Sequence, residues 1–150
     1  MSTALDCTNC DECADSPCFE EVLGDALGCA KPCEIPVRLT ASKTFTAGQL
    51  MGQKVADGLW DVFDPLASDG TQTARGVLRY SVTTDSQGRM THLRVPLTGS
   101  ACGPYYTNVW VEGYFRIEET IGDLATALGQ PGFGRLIDGS VGSPGLWKLL

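Results

Sequence analysis

Glycines and turn-forming dipeptides interrupt the chain between residues 47 and 80, and their spacing limits what this stretch can fold into. A short apolar run ends at Gly52, and Asp57-Gly58 lies between it and a second apolar run over residues 59–63. Asp-Gly between two such runs favours a β-hairpin with a type I′ turn, because both central residues of that turn need a positive φ. Asp64-Pro65 ends the second run, since proline cannot donate a ladder hydrogen bond. Short antiparallel strands are therefore expected here, without any group suited to covalent chemistry.

The order of these turn residues resembles that of a known family. The segment AGQLMGQKVADGLWDVFDPLASDGTQTARGVL combines a glycine-flanked first strand, a Gly-aromatic second strand, an Asp-Pro/Ala-Ser-Asp-Gly loop and a Thr-Ala-x-Gly-Val-Leu third strand. This pattern is similar to the head decoration proteins of tailed bacteriophages, the lambda-like decoration protein D family. The resemblance covers roughly residues 45–138 and is most specific over residues 65–78. It consists of turns and small residues rather than catalytic groups.

The resemblance implies a β-rich protomer that forms a homotrimer and binds the major capsid protein at three-fold and quasi-three-fold sites of an expanded head. Such a protein would lie on the outer surface of the virion, after synthesis in the cytoplasm of a bacterial host. It would clamp neighbouring capsid subunits and offset the outward pressure of packaged DNA. In the family, the segment before the first core strand reaches the shell. By position, the capsid-contact candidates here are Ile35, Val37, Leu39, Thr44 and Phe45.

Large aromatic residues supply the candidates for contacts between protomers. Short strands and many loops leave exposed sheet edges, which proteins normally cover. The aromatic residues exceed what a small β domain needs at its surface, so some of them should lie in the core or between protomers. The trimer-interface candidates are Trp60, Phe63, Trp110 and Phe115.

Composition favours short β elements in a chain of domain size. The 150 residues include 18 glycines and 8 prolines, which indicates many turns. We expect a mainly β fold with one or two short helices. A small β-barrel or tulip-like decoration domain is expected over residues 35–150, preceded by a cysteine-rich, acidic N-terminal extension over residues 1–34.

Periodicity predicts the remaining elements. Apolar residues at helical spacing predict helices over residues 17–27 and 118–128. Alternation over residues 35–39 predicts an extended segment that Pro36 confines to a sheet edge. That segment either pairs with the open sheet edge of another chain or is a linker or edge strand within its own chain. Further strands are predicted over residues 74–84, 90–97, 108–117, 134–139 and 146–150.

The net charge of −7 is concentrated at the N-terminal end. Residues 1–34 hold eight acidic residues and one basic residue, whereas residues 35–150 hold ten of each. Nucleic-acid binding normally needs clustered lysines and arginines, so it is disfavoured. No apolar run approaches the ~20 residues of a membrane-spanning helix, and the first residues lack the pattern of a signal peptide. We therefore expect neither a nucleic acid nor a membrane as partner.

Three interpretations of the cysteines in the extension remain open. Six cysteines can form three disulfides in fifteen connectivities, can supply four thiolates to a structural zinc, or can stay free. The spacing lacks the usual two-plus-two zinc arrangement and fits iron–sulfur ligation poorly, so we favour disulfides and expect no cofactor unless zinc binds. A second functional hypothesis is a zinc-binding accessory or adaptor module with a non-catalytic β domain. The candidate disulfide or metal residues are Cys7, Cys10, Cys13, Cys18, Cys29 and Cys33.

Enzyme activity has no candidate site in the sequence. His92 is the one histidine, and it falls inside a predicted strand whose neighbours follow ordinary alternation. Asp64 and Asp69 are better interpreted as turn-formers than as calcium ligands, because the calcium loop of alternating acids is missing. No glycine is followed by Lys-Ser or Lys-Thr in the manner of a phosphate-binding loop. We expect a protein that is not an enzyme.

Overall fold

The computed structural model of the chain describes residues 33–92 and 104–150. The expectation of a mainly β fold is confirmed, with a single short α-helix among these residues. The predicted helix over residues 17–27 and most of the cysteine-rich extension lie outside them. The strands are β1 (Cys33–Val37), β2 (Thr44–Phe45), β3 (Leu50–Gln53), β4 (Trp60–Val62), β5 (Gly76–Leu78), β6 (Val82–Thr84), β7 (Met90–His92), β8 (Thr107–Arg116), β9 (Gly134–Asp138) and β10 (Leu146–Leu149), and the helix is α1 (Leu124–Leu128).

The strands form two antiparallel sheets. The larger sheet has seven strands in the order β4-β3-β5-β8-β10-β9, with β1 paired to β8 as well. The smaller sheet has the order β2-β6-β7. In the described strands, β4 and β9 at the two ends of this order do not pair with each other, and only an isolated bridge from Leu39 to Trp60 joins the segment after β1 to β4. The sheets are antiparallel but not closed, so the expectation of a small β-barrel is wrong.

Strand β8 holds the larger sheet together. Its ten residues confirm the strand predicted over residues 108–117. Trp110 lies opposite both Glu34 of β1 and Val77 of β5, so the first half of β8 lies between these two strands. In the second half, Phe115 lies opposite Trp147 of β10. A single long strand therefore connects the N-terminal and C-terminal parts of the described chain.

Neighbouring residues of β8 belong to different hydrophobic clusters. Val109 packs in a cluster with Phe45 and Met90 of the smaller sheet. Trp110 packs in a second cluster with Trp147 and with Leu124 of α1. Because successive side chains of a strand point to opposite faces, the smaller sheet covers one face of the larger sheet and α1 covers the other. Both clusters contain fully buried aromatic side chains, as expected for a protein with a real core.

Two predicted elements are each divided in the structure. The strand expected over residues 74–84 forms β5 and β6, which belong to different sheets, and the chain crosses between them at residues 79–81. The helix expected over residues 118–128 begins as a 3-10 turn, Ile117–Glu119, and continues as α1 only from Leu124. Gly122 separates the two with a φ of 122°, which no right-handed helix can include. Among the described residues, no helix is long and apolar enough to cross a bilayer.

The segment predicted over residues 35–39 forms an edge strand within its own chain. Strand β1 pairs antiparallel with β8, and Pro36 lies opposite Asn108. Leu39 continues the extended path and forms an isolated parallel bridge with Trp60. Of the two open interpretations, the structure supports pairing inside the chain over capture by another chain's sheet.

Candidate docking surfaces

The four trimer-interface candidates lie in the core of one protomer. Trp60 packs in the cluster beneath the smaller sheet, and Phe63, Trp110 and Phe115 pack in the cluster that α1 covers. All four side chains are buried. The sequence argument allowed them to lie in the core or between protomers, and the structure places them in the core. Phe63, Trp110 and Phe115 offer almost no surface to a second copy in this conformation, whereas Trp60 keeps a small accessible part, 6%, at the wall of a surface groove.

The capsid-contact candidates are divided between core and surface. Val37, Leu39 and Phe45 are buried in the protomer, so they have little surface left for a partner. Ile35 is half-buried, and Thr44 is exposed with its hydroxyl 3.2 Å from that of Thr83. Contact with a capsid stays a prediction, and Ile35 and Thr44 are the candidates that keep an accessible side chain.

The cysteine candidates lie almost entirely outside the described residues. Only the backbone of Cys33 is described, at the start of β1. Disulfide or zinc binding by these cysteines therefore stays a prediction. Residues 33–92 and 104–150 contain no group of three or more histidine, cysteine or acidic side chains that could hold a metal ion. His92 is the last residue of β7.

The most exposed large apolar side chains lie on two loops that sequence reasoning treated only as turns. The first loop, residues 54–58, joins β3 to β4, and the second, residues 64–73, follows β4. Val55 on the first loop is 85% exposed and Leu66 on the second is 93% exposed. We call residues 54–58 and 64–73 together the loop pair. The sequence feature that could have indicated this surface is a single leucine, Leu66, in an otherwise polar, turn-rich segment.

The first loop differs from the predicted type I′ turn. The Lys54 amide donates to the Leu59 carbonyl at 2.8 Å, and the Gly58 amide donates to the Lys54 carbonyl at 3.1 Å. Gly58 has a φ of 75°, but Asp57 does not have a positive φ. The Asp57 carboxylate instead accepts a hydrogen bond from the Leu59 amide at 3.0 Å. The predicted hairpin exists, but residues 54–59 separate β3 from β4, and Asp57 forms an Asx turn in place of the type I′ turn.

Carboxylates of the second loop accept hydrogen bonds from other groups of the same loop and so fix its conformation. Asp64 Oδ1 accepts from the Leu66 amide at 3.0 Å, which fixes the backbone at the exposed leucine. Asp69 Oδ1 accepts from both the amide and the hydroxyl of Thr71, at 3.0 and 2.6 Å. The hydrogen bonds from the Thr71 hydroxyl and then from its amide hold the pKa of Asp69 below its ordinary value. The interpretation of Asp64 and Asp69 as turn-formers agrees with these contacts.

Glycines let the second loop pack directly on β3. A Cβ atom on Gly52 would stand 2.8 Å from the Cα atom of Thr71, closer than real Cβ contacts allow. Gly70, with a φ of 114°, has no room for a side chain against the Gln53 carbonyl. The Val55 amide donates to the Asp69 carbonyl at 2.9 Å and joins the two loops. The glycines of the sequence motif therefore hold the loop pair in one arrangement.

A side-chain amide braces the far end of the second loop. Gln130 Nε2 donates to the Gln72 carbonyl at 2.8 Å, and Gln130 Oε1 accepts from the Ala74 amide at 2.8 Å. The residues around Gln130 follow α1, so the C-terminal part of the chain also supports the loop pair.

An ion cluster lies at the base of the first loop. Asp61 of β4 is 8% exposed, and its carboxylate lies 2.8 Å from Lys43 Nζ and 3.8 Å from Lys54 Nζ. Burial alone raises the pKa of Asp61, but hydrogen bonds from Lys43 and the Val62 amide outweigh it and hold the pKa below its ordinary value. The cluster connects the first loop with the turn before β2.

An open groove of about 740 Å³ adjoins the loop pair. Its walls are mainly apolar side chains from β1, β4, β8 and the segment after α1. Arg75 is the one charged side chain among the described residues that line it, and Arg75 is exposed. The lining residues are Ile35, Gln53, Trp60, Thr73, Ala74, Arg75, Val111, Gln130, Pro131, Gly132, Phe133, Leu149 and Leu150.

Comparison with known protein families finds a match over part of the chain. Residues 22–95 match the family model described as bacteriophage lambda head decoration protein D. The match includes the whole loop pair, and it begins earlier and ends earlier than the stretch over which the sequence resemblance was expected. No curated protein and no solved structure matches the chain.

Proposed function

Over residues 22–95 this chain belongs to the family of bacteriophage lambda head decoration protein D, and we propose that it binds the outer surface of an expanded phage head as a homotrimer and stabilises the shell. The family match carries this proposal. It supports a role in phage capsid decoration, and it agrees with a motif made of glycines and turn-forming carboxylates that brace a loop. The major capsid protein is the proposed partner.

The described fold is suited to a protein that resists mechanical force. Two buried clusters hold the larger sheet on both faces, and the longest strand connects the two parts of the chain. Interiors packed in this way are poorly compressible and transmit strain. A rigid protomer that touches two capsid subunits would resist their separation when packaged DNA pushes outward.

Many copies would supply the necessary strength without a deep binding pocket. When three linked protomers bind one site, the second and third contacts form at high effective concentration, so a modest contact for each protomer gives strong binding overall. This argument needs a trimer on the shell and does not need a trimer in dilute solution.

Co-sedimentation with heads tests the proposal. The full chain is mixed with expanded and with unexpanded heads of the parent phage, both free of bound decoration protein, and the pelleted fraction is measured. We expect binding to expanded heads and little binding to unexpanded heads, because the proposed site forms on expansion. Heads already saturated with the protein serve as the control for occupied sites. Absence of binding to expanded heads would contradict the proposed function.

A further inference from the structure

The loop pair and the groove are complementary in shape and in charge. The loop pair projects Leu66 and Val55 among the exposed carboxylates of Asp57, Asp64 and Asp69. The groove is largely apolar and carries the cation of Arg75 without any acidic side chain among its described lining residues. We propose that the loop pair of one copy seats in the groove of a second copy. This proposal deepens the proposed function and rests on its trimer.

The exposed leucine is held in a fixed position that the fold of the protomer does not require. Leu66 is 93% exposed and therefore contributes little to either core cluster. Its amide is nevertheless fixed by Asp64, and its loop is packed on β3 through Gly52. A loop backbone that is ordered before association loses less entropy when it binds. Burial of an exposed aliphatic side chain in an apolar pocket favours binding, because it removes apolar surface from water.

The groove offers the surfaces that such a side chain needs. Trp60, Val111 and Phe133 contribute apolar surface to the groove. Arg75, at the edge of the groove, can face the carboxylates that surround Leu66. A cation placed against acidic residues favours this partner over a neutral or acidic groove. The loop pair and the groove are both present on one chain. A second copy of this chain is therefore the occupant that we propose for the groove.

The two surfaces are different patches of one protomer, as a contact within a ring of copies requires. The loop pair ends at Thr73, and the groove includes Thr73, Ala74 and Arg75, so the two surfaces are neighbours on the protomer. A contact between two different patches is heterologous, and it closes into a ring when the rotation between copies permits. In a ring of three, each protomer would use its loop pair toward one neighbour and its groove toward the other.

Photo-cross-linking tests the contact directly. Benzoylphenylalanine replaces Leu66 in the full chain, and an equal mixture of isotopically light and heavy protein is irradiated on decorated heads and in concentrated solution. We expect light-to-heavy cross-links to residues 130–133 or 149–150. Benzoylphenylalanine in place of Val141, which is 43% exposed and lies outside the loop pair, is the matched control and should not reach the groove.

Each other outcome of the cross-linking contradicts the proposal. Cross-links from position 66 to the major capsid protein would make the loop pair a shell contact. Cross-links to another part of a second copy, or none between copies under either condition, would also overturn it. If light-to-heavy cross-links form in solution but the protein does not bind heads, the contact stands and the proposed function fails.

One substitution on each side, an acidic residue in place of Leu66 and a charge reversal at Arg75, gives an independent test on heads. Leu66→Asp and Arg75→Glu should each weaken binding of the protein to expanded heads by about tenfold or more, because the trimer contact is lost. Val141→Asp should bind as the wild type does. A mixture of the Leu66→Asp and Arg75→Glu chains keeps one intact loop pair and one intact groove, so it should form a one-to-one complex that neither variant forms alone. Wild-type binding by Leu66→Asp would overturn the proposal.

Discussion

Gly52 of β3 lies so close to Thr71 of the loop pair that a Cβ atom on Gly52 would stand 2.8 Å from the Thr71 Cα atom. This contact explains a glycine after the buried strand residues Leu50 and Met51, where glycine otherwise weakens pairing. It also connects the motif to the proposed function, because the loop packed on Gly52 is the one that exposes Leu66.

Gly52→Ala should destabilise the protein by about 1–3 kcal/mol, because the new methyl group meets backbone atoms that cannot move aside. Chemical denaturation of the full chain measures the change in the free energy of unfolding. Gly129→Ala is the matched control, since Gly129 is exposed and has an ordinary φ of −76°. Equal stability of the two variants would mean that the loop does not pack on β3 as described.

The ion pair between Glu34 and Arg79 should contribute measurably to stability. Arg79 Nη1 lies 2.7 Å from Glu34 Oε2, and both side chains are mostly buried. Glu34→Gln should cost about 1–3 kcal/mol, because a charged hydrogen bond is lost in a partly desolvated site. Glu119→Gln, in the more exposed pair with Arg116, should cost about 0–1 kcal/mol. If the two substitutions lower the free energy of unfolding equally, the pair of Glu34 and Arg79 stabilises the protein no more than the exposed pair does.

Acid should destabilise the protein partly through Asp61. The pKa of Asp61 is lowered in the folded state from its ordinary value of 3.8. Its contribution is therefore complete above pH 3.8 and is lost as the pH falls through the lower folded-state pKa. Asp61→Asn should flatten the acid side of the stability curve, measured by denaturation across pH. Asp138→Asn, at an exposed carboxylate on β9, controls for the loss of one negative charge. It should reduce the slope of unfolding free energy against pH less than Asp61→Asn does.

Removal of residues 1–32 should leave a folded β domain, whereas removal of residues 1–38 should not. Strand β1 begins at Cys33 and fills one edge of the first half of β8, so the second truncation exposes that edge and removes Val37 from its cluster. Circular dichroism and thermal unfolding distinguish the two proteins. An unfolded 33–150 protein would contradict the separation of extension and domain.

The cysteines of the extension should be bonded in pairs or to a metal rather than free. A short segment has little core of its own, and cross-links commonly compensate for this in small domains. Thiols are counted under denaturing conditions with and without a chelator. We expect about one free thiol among the seven cysteines, which corresponds to three disulfides. Seven free thiols that appear only after chelation would show a metal site instead.

Local turn chemistry predicted the strands better than it predicted their assembly. The strands β8, β9 and β10 follow from residues close in sequence. The division of residues 74–84 between two sheets could not be predicted, because it depends on long-range pairing of β5 with β8 and of β6 with β2. The same limit applied to the aromatic candidates, since apolar composition alone does not distinguish a core from an interface.

The candidate site was missed for a related reason. Asp64, Asp69 and the glycines were correctly identified as turn-formers, but their shared effect, a braced loop with Leu66 exposed, exists only when β3 lies beneath it. The capsid-contact candidates were chosen by position in the resemblance, and position could not show that Val37 and Phe45 fill a core cluster.

Electron cryomicroscopy of expanded heads decorated with the full chain tests the central claim most directly. The account predicts three-fold density on the outer surface at the three-fold and quasi-three-fold positions, with the residues 64–73 loop of each copy against the groove of the next. Heads without added protein provide the reference density. Isolated monomers without three-fold contacts, or no added density on the shell, would contradict the account.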